Sequence, residues 1–247
     1  METVLEMQKV SVSFNGFLAV KEMDFNLSHG ELRFLIGPNG AGKTTLLDLI
    51  CGKTRPTSGK IKYLDEDLTR MKEHQIAKKG IGRKFQAPSI FSSLTVSENL
   101  ELAMRQKRDV FSTLFARSTK EERVRIEEQA ELIGLSAQLD VRAGSLSHGE
   151  KQWLEIGMML FQEPRVLLLD EPVAGMTDTE TVKTGELLQR VLGERSIVVV
   201  EHDMEFVRSF AKVVTVMHEG QLLKEGTMQE VQNDQRVAEV YLGRKAG

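Results

Sequence analysis

A glycine-rich segment between an apolar run and a helical pattern is the feature that most constrains the fold. Residues 37–44 read GPNGAGKT and match the phosphate-binding pattern G-x-x-x-x-G-K-[ST]. The apolar run over 31–36 predicts a strand, and the spacing of apolar residues over 44–51 predicts a helix. In that setting the glycines let backbone N–H groups at the helix N-terminus face an anion. The alternative is a turn with a merely solvated lysine, and the flanking elements argue against it.

A second apolar run ends in two carboxylates that complete such a site. Residues 166–169 read VLLL, as in a strand buried on both faces, and Asp170 and Glu171 follow. Asp170 can hold Mg²⁺ together with the Thr44 hydroxyl, while Glu171 can orient or deprotonate an attacking water. Taken alone, the two carboxylates could simply be the polar end of a buried strand. Together with the loop, they predict nucleotide hydrolysis.

The order of elements predicts an α/β protein. Alternating apolar residues over 4–14 and 17–27, separated by the turn pair Asn15-Gly16, predict a β-hairpin or meander. Residues 196–200 form another buried strand, and residues 179–192 between the two buried strands predict a helix. A strand–helix–strand order of this kind is typical of a parallel sheet.

The middle of the chain has a different character. Capping-box patterns begin at Thr95 and Thr119, each followed by a charged amphipathic stretch, so residues between about 88 and 144 predict a helical insertion. A third capping box, at Ser147 and Glu150, predicts the start of a helix that carries Trp153. The chain is predicted to end, after Gly226, in two short helices.

Composition excludes several classes of protein. The 247 residues carry 33 Lys and Arg against 36 Asp and Glu, so the chain lacks the marked basic excess that nucleic-acid-binding domains usually show. The single cysteine, Cys51, cannot form an internal disulfide, which favours a reducing compartment. No window approaches roughly 18 uninterrupted apolar residues, so we expect no membrane-spanning helix. We therefore expect one globular domain without a nucleic-acid partner.

Three further motifs complete a family pattern. Residues 146–152, LSHGEKQ, resemble the L-S-G-G-Q signature of the ATP-binding cassette family and precede the carboxylate strand as that signature does. Gln86 in FQAP resembles the Q-loop of the family, and His202 in VEHD resembles its switch histidine. The motifs occur in family order, and the resemblance covers essentially the whole chain.

This resemblance implies an α/β fold of the P-loop NTPase type. Its RecA-like parallel-sheet core would carry an antiparallel β subdomain and an inserted α-helical subdomain. The whole chain, 1–247, would form a single nucleotide-binding domain, with the core at approximately 1–87 and 145–247 and the helical subdomain at approximately 88–144.

The resemblance also implies ATP and Mg²⁺ as cofactors. Glu171, His202 and Lys43 would act in catalysis, and Thr44, Gln86 and Asp170 would hold Mg²⁺. Phe14 stands where the family carries an aromatic that stacks on adenine, although a core phenylalanine is a live alternative. The residues expected to bind ATP are Phe14, Gly37, Pro38, Asn39, Gly40, Ala41, Gly42, Lys43, Thr44, Thr45 and Gln86.

The partners implied by the resemblance start with a second cassette. Two cassettes would face head to tail, and the signature of one chain (Ser147, His148, Gly149 and Glu150) would cap the ATP of the other. The second cassette would be a different chain in the cell, with a homodimer possible in isolation. Family glycine and glutamine are replaced here by His148 and Glu150, and Thr177 replaces a common aspartate. We expect Glu150 to act as a helix cap rather than to weaken the site.

The branch resembled is that of importers for branched-chain amino acids and amides. Residues 87–100, with Ile90, Phe91 and Leu94, resemble the joint where an importer's permease docks, and residues 237–243 resemble that branch's C-terminal tail. Residues 52–56, 146–158 and 171–181 most resemble the ATP-binding subunits of urea importers.

The function implied is that of an ATPase driving urea uptake through two transmembrane permeases fed by a periplasmic binding protein. The chain would lie peripherally on the cytoplasmic face of the inner membrane. Alternatives are a branched-chain amino acid or other amide importer, and a soluble cassette ATPase without a permease.

Overall fold

The structure is a computed structural model that describes residues 2–84, 90–105, 119–193 and 195–242. The chain divides into two compact units. The first contains Met1–Arg83, Arg165–Pro172 and Leu192–Gly247, and the second contains Lys84–Pro164 and Val173–Val191. The helix that starts at Ser147 therefore groups with the helical unit, whereas the sequence placed residues from 145 onward with the core.

The described strands form two sheets, which belong to the first unit except for Lys84, the last residue of β6. In chain order they are β1 (Thr3–Phe14), β2 (Phe17–Ser28), β3 (Leu32–Ile36), β4 (Ser58–Tyr63), β5 (Glu66–Asp67), β6 (Ile81–Lys84), β7 (Val166–Asp170), β8 (Ser196–Val200), β9 (Val213–His218) and β10 (Gln221–Gly226).

The described α-helices are distributed over both units. In chain order they are α1 (Lys43–Ile50), α2 (Glu73–Lys78), α3 (Val96–Arg105), α4 (Lys120–Leu132), α5 (His148–Leu160), α6 (Asp178–Leu192), α7 (Met204–Phe210), α8 (Met228–Gln232) and α9 (Gln235–Leu242). Within the parts of the chain described here, none of these helices is both long enough and apolar enough to cross a membrane.

The larger sheet has the strand order β10-β9-β3-β8-β7-β6. Strands β9, β3, β8 and β7 are parallel neighbours, and all residues of β3, β7 and β8 are buried. In the register, Val200 pairs with both Leu35 and Asp170. The segments that follow β3, β7 and β8 therefore leave the sheet at the same edge, which is where ligands bind in open α/β sheets.

The smaller sheet is antiparallel, with the order β2-β1-β4-β5. Its first hairpin turns at Asn15 and Gly16, which both have positive φ (51° and 89°), as a two-residue type I′ connection requires. Phe14 pairs directly with Phe17 across this turn. The predicted α/β fold with a parallel core and an antiparallel subdomain is confirmed.

The helical unit begins its helices as the sequence predicts. Thr95, Thr119 and Ser147 each accept a hydrogen bond from the N–H of the glutamate three residues later. Each glutamate carboxylate in turn accepts a hydrogen bond from the backbone N–H of its capping residue, which completes the capping box. Buried Trp153 joins α5 to α6, since its Nε1 donates to Thr184 Oγ1 at 2.8 Å.

Candidate nucleotide site

The loop from β3 to α1 turns where only glycine fits. Gly42 caps α1 with φ 99°, and a Cβ added there would lie 2.6 Å from the carbonyl oxygen of Ala19. At Gly37, with φ 152°, an added Cβ would lie 2.2 Å from the carbonyl oxygen of Met217. Real Cβ atoms do not make such contacts, so both positions exclude side chains. The loop is thereby wrapped around the N-terminus of α1.

Lys43, the first residue of α1, points back along this loop. Its Nζ donates to the carbonyl oxygens of Gly37 at 2.7 Å and Pro38 at 3.1 Å. Burial lowers the pKa of Lys43, and the charges of Glu171 and Asp170 oppose that effect. A half-buried ammonium that donates to neutral carbonyl oxygens gains from an anion placed beside it.

Asp170 ends β7 as a buried carboxylate, with 3% of its surface exposed. Burial raises its pKa, while the Arg83 charge and the nearby Thr44 hydroxyl act in the opposite direction. Among the described residues, no donor makes a hydrogen bond of ordinary geometry to either carboxylate oxygen. A carboxylate of this kind beside a hydroxyl suits Mg²⁺, which takes one or two protein oxygens and completes its shell with phosphate and water. The residues present therefore fit the metal.

Arg83 was not identified from the sequence. Its buried guanidinium forms an ion pair with Asp48 of α1, lies 3.3 Å from Cys51 Sγ, and approaches Asp170 Oδ2 at 3.8 Å. It thus connects the helix that follows the phosphate loop with the buried carboxylate. Only the fold reveals this role, because the sequence around Arg83 gives no pattern that distinguishes it from a surface arginine.

Glu171 and His202 lie together beyond the strand ends. Glu171 has φ 49°, unusual for a residue with a side chain, and its N–H donates to Val200 O at 2.9 Å. Its Oε1 lies 3.4 Å from Nδ1 of His202, which follows β8. A constrained carboxylate next to an imidazole can hold a water molecule and accept its proton.

An open cavity of about 400 Å³ lies over the loop. Residues 39–45, Glu171 and the hairpin residues Phe14, Phe17 and Ala19 line it. Phe14 is 47% exposed and Phe17 is 69% exposed, so Phe14 is not a core residue. Phe17 was missed from the sequence, although the Asn15-Gly16 turn, which pairs it with Phe14, gave the signal.

The predicted Q-loop residue Gln86 lies outside the described residues. The signature segment belongs to the second unit, where Ser147 caps α5 and Glu150 completes its capping box. His148 Nε2 lies 3.3 Å from Gln152 Nε2, and Gly149 is buried. Glu150 therefore has the capping geometry expected of it.

Comparison with known proteins places these features in context. The family model described as ABC transporter matches residues 20–174, and one described as branched-chain amino acid ATP-binding cassette transporter matches residues 225–247. The chain is 35% identical to the high-affinity branched-chain amino acid transport ATP-binding protein LivG of Escherichia coli K12, over 98% of each chain. It is 32% identical to the corresponding protein BraF of Pseudomonas aeruginosa, over 97% of this chain and 98% of the other.

Solved structures agree with the sequence matches. A nucleotide-free ATP-binding cassette from an ABC transporter superposes with a TM-score of 0.85 at 26% identity, covering 98% of this chain and 100% of the other. A dimeric post-hydrolysis state of another cassette, bound to ADP and Pi, superposes with a TM-score of 0.75 at 25% identity, covering 91% and 98%.

Proposed function

The chain belongs to the ATP-binding cassette transporter family, and from this membership we propose how its residues hydrolyse ATP and what that hydrolysis drives. It is an ATPase and the ATP-binding subunit of an importer of the branched-chain amino acid type. One observation carries the proposal: the phosphate loop, Asp170 and the Glu171–His202 pair converge at one edge of the parallel sheet.

In the proposed site, Lys43 and the loop N–H groups bind the β- and γ-phosphates of ATP. Phe14 stacks on adenine, and Thr45 extends the loop contacts at the first turn of α1. Thr44 and Asp170 hold Mg²⁺, together with Gln86 by family resemblance, and the ion supplies charge neutralisation at the phosphates. Exchanging its neutral carbonyl partners for phosphate oxygens favours the charged form of Lys43.

Glu171 is the proposed general base. Its carboxylate accepts a proton from a water whose oxygen attacks the γ-phosphorus, while the bond from that phosphorus to the bridging oxygen of ADP breaks. His202, 3.4 Å from Glu171 Oε1, orients the carboxylate and can contact the γ-phosphate. The left-handed backbone at Glu171 supports this role, because strain of this kind is typical of active sites.

The second cassette completes the site in this proposal. Ser147, His148, Gly149 and Glu150 of one chain face the γ-phosphate bound by the other, and the N-terminus of α5 favours an anion. A related cassette is dimeric with ADP and Pi, which supports a pair. The partner in the cell is proposed to be a different cassette, with self-pairing of the isolated chain.

The complete assembly would add two transmembrane permeases and a periplasmic binding protein. The chain would then lie on the cytoplasmic face of the membrane, as a single nucleotide-binding domain. Exposed Phe91, with Ile90 and Leu94, is proposed to contact the permease.

The cargo is proposed to be a branched-chain amino acid. Relatives that match nearly the full length of the chain carry names that include branched-chain amino acid transport, and the C-terminal residues match a model of the same description. The comparisons thus support the alternative cargo over urea, the cargo expected first. Urea remains the second candidate, because residues 52–56, 146–158 and 171–181 resemble urea-importer subunits.

The test is ATPase activity in membranes that contain the chain, its neighbouring cassette and both permeases. The binding protein is added empty, with leucine, or with urea. Stimulation by leucine alone supports the proposed cargo, and stimulation by urea alone replaces it with the second candidate. Activity that responds to neither permease nor binding protein would contradict the transport function.

A further inference from the structure

The N-terminus of α5 already holds a carboxylate from its own chain. Oε1 of Glu180 accepts a hydrogen bond from Ser147 Oγ at 2.8 Å, and the same carboxylate lies beside Gly149. A Cβ added at Gly149 would lie 2.6 Å from Oε1, so the glycine is what admits the side chain. The signature serine thus binds Glu180 in this structure, and the signature glycine makes room for it.

The second carboxylate oxygen of Glu180 has its own hydrogen-bond donors. Its Oε2 accepts from both the N–H and the hydroxyl of Thr177, each at 3.0 Å. The Thr177 N–H, followed by the Ser147 hydroxyl, holds the pKa of Glu180 below its usual value. The carboxylate is therefore charged at neutral pH.

Ser147 has only one proton to give. Its oxygen already accepts from the Glu150 N–H at 3.1 Å, and its hydroxyl proton goes to Glu180. A phosphate oxygen at the same place needs that proton too, and it is repelled by the carboxylate. Ser147 cannot donate to Glu180 and to a phosphate at the same time.

We propose that Glu180 is a built-in competitor of the partner's nucleotide at the signature motif. It occupies the Ser147 donor, and lies against Gly149, at the place that the proposed function assigns to the γ-phosphate of the other chain. Pairing on ATP then requires Glu180 to release Ser147, so Glu180 raises the ATP concentration at which two cassettes close. The inference rests on the proposed function and deepens it.

The release needs only a side-chain movement. Oε2 can keep its Thr177 donors while Oε1 turns away from Ser147. The helices themselves are fixed one turn further along, where Trp153 of α5 donates to Thr184 of α6. The backbone of both helices can therefore stay in place while the anion is exchanged.

The experiment measures ATP-dependent pairing of the full-length chain in a Glu171→Gln background, where hydrolysis is blocked. Sedimentation velocity across an ATP series with Mg²⁺ gives the ATP concentration at half-pairing, for the chain alone and with its neighbouring cassette. Adding Glu180→Ala is expected to lower that concentration by at least about threefold, since a charge-assisted bond no longer competes. Glu180→Gln, which keeps an acceptor for Ser147 without the charge, should give a smaller decrease.

Glu230→Ala is the matched control. Glu230 forms the same capping box with Thr227 at the start of α8, but no signature serine contacts it in the described residues. It should leave the half-pairing concentration unchanged. Emission of Trp153, the only tryptophan, reports whether the junction of α5 and α6 survives each substitution.

An unchanged midpoint in Glu180→Ala and Glu180→Gln, with native emission, would overturn the inference alone. A rise in the midpoint would overturn it as well, because it would make Glu180 a support of the signature rather than its competitor. Absence of ATP-dependent pairing in both samples would overturn the proposed pairing and the inference with it.

Discussion

The N-termini of α1 and α5 are both suited to bind an anion. They differ in the acceptors to which their side-chain donors are bound in this structure. At α1, the Lys43 ammonium donates to two neutral carbonyl oxygens. At α5, the Ser147 hydroxyl donates to the carboxylate of Glu180. At Lys43 a phosphate oxygen replaces neutral carbonyl acceptors, whereas at Ser147 it must displace a carboxylate. The first site is thus ready for a ligand from solution, whereas the second is satisfied within its own chain until a stronger competitor arrives.

The largest effect, on the rate of ATP hydrolysis, is expected from substitution of Glu171. Glu171→Gln should lower the rate of ATP hydrolysis by about 10²–10⁴-fold, since the proposed base is lost. ATP affinity should be retained, because the loop and Lys43 are intact. Phosphate release and calorimetric titration with ATP measure the two quantities. Hydrolysis at the normal rate would remove Glu171 from the base role.

Substitution of Lys43 and of Ser147 should have different effects on the ATP affinity of the single chain. Lys43→Ala should weaken ATP binding to the single chain by about tenfold to hundredfold, the worth of a charge-assisted bond to phosphate. Ser147→Ala should leave this affinity unchanged, because Ser147 is proposed to act on the other chain's ATP. Titration at protein concentrations below pairing is the measurement. Equal losses in both variants would place the two donors on the same nucleotide.

The charges of Asp170 and Glu180 should affect folding stability with opposite signs. The pKa of Asp170 is raised by burial, so its charge destabilises the fold above that pKa, and Asp170→Asn should raise the Tm by about 2–4 °C at neutral pH. The pKa of Glu180 is lowered by its hydrogen bonds, so its charge stabilises the fold, and Glu180→Gln should lower the Tm slightly.

Acid should remove both differences. The gain from Asp170→Asn disappears as the pH falls through the raised pKa of Asp170. The loss from Glu180→Gln disappears at lower pH, as the pH falls through the lowered pKa of Glu180. Thermal melts of the nucleotide-free chains between pH 4 and neutrality, with the wild type alongside, check the signs. Shifts of the same sign would contradict the contrast between the two sites.

The smallest effect is expected at the hairpin above the cavity. Phe14→Ala should weaken ATP binding by about twofold to tenfold, the worth of an aromatic stacking contact, with a smaller loss for Phe17→Ala. Competition between ATP and inorganic triphosphate separates the base contact from the phosphate contacts. If triphosphate binding falls as much as ATP binding, these rings shape the loop instead of contacting adenine.

The sequence predicted local features well and long-range contacts poorly. The capping boxes at Thr119 and Ser147 depend on residues three positions apart. The Asn15-Gly16 turn depends on the preference of these two residue types for positive φ. Both features can therefore be recognised in the sequence. Strands β9 and β10, by contrast, were not predicted individually.

The contacts of Arg83 and Glu180 could not be predicted. Arg83 meets Asp48 and Asp170, and Glu180 meets Ser147, only because distant segments pack together. Their residue types fit an exposed helix or strand end equally well, so only the fold distinguishes them. The second unit also includes residues 145–164 and 173–191, and this grouping likewise depends on packing and not on a local sequence pattern.

The most direct test of the account mixes two inactive chains. Lys43→Ala removes the phosphate donor from one copy, and Ser147→Arg blocks the signature of another, so each alone should hydrolyse ATP poorly. If a site combines the loop of one chain with the signature of the other, a mixed pair contains one intact site. We expect the ATPase activity of the mixture to exceed clearly that of either chain alone. A mixture no more active than its components would contradict the divided site.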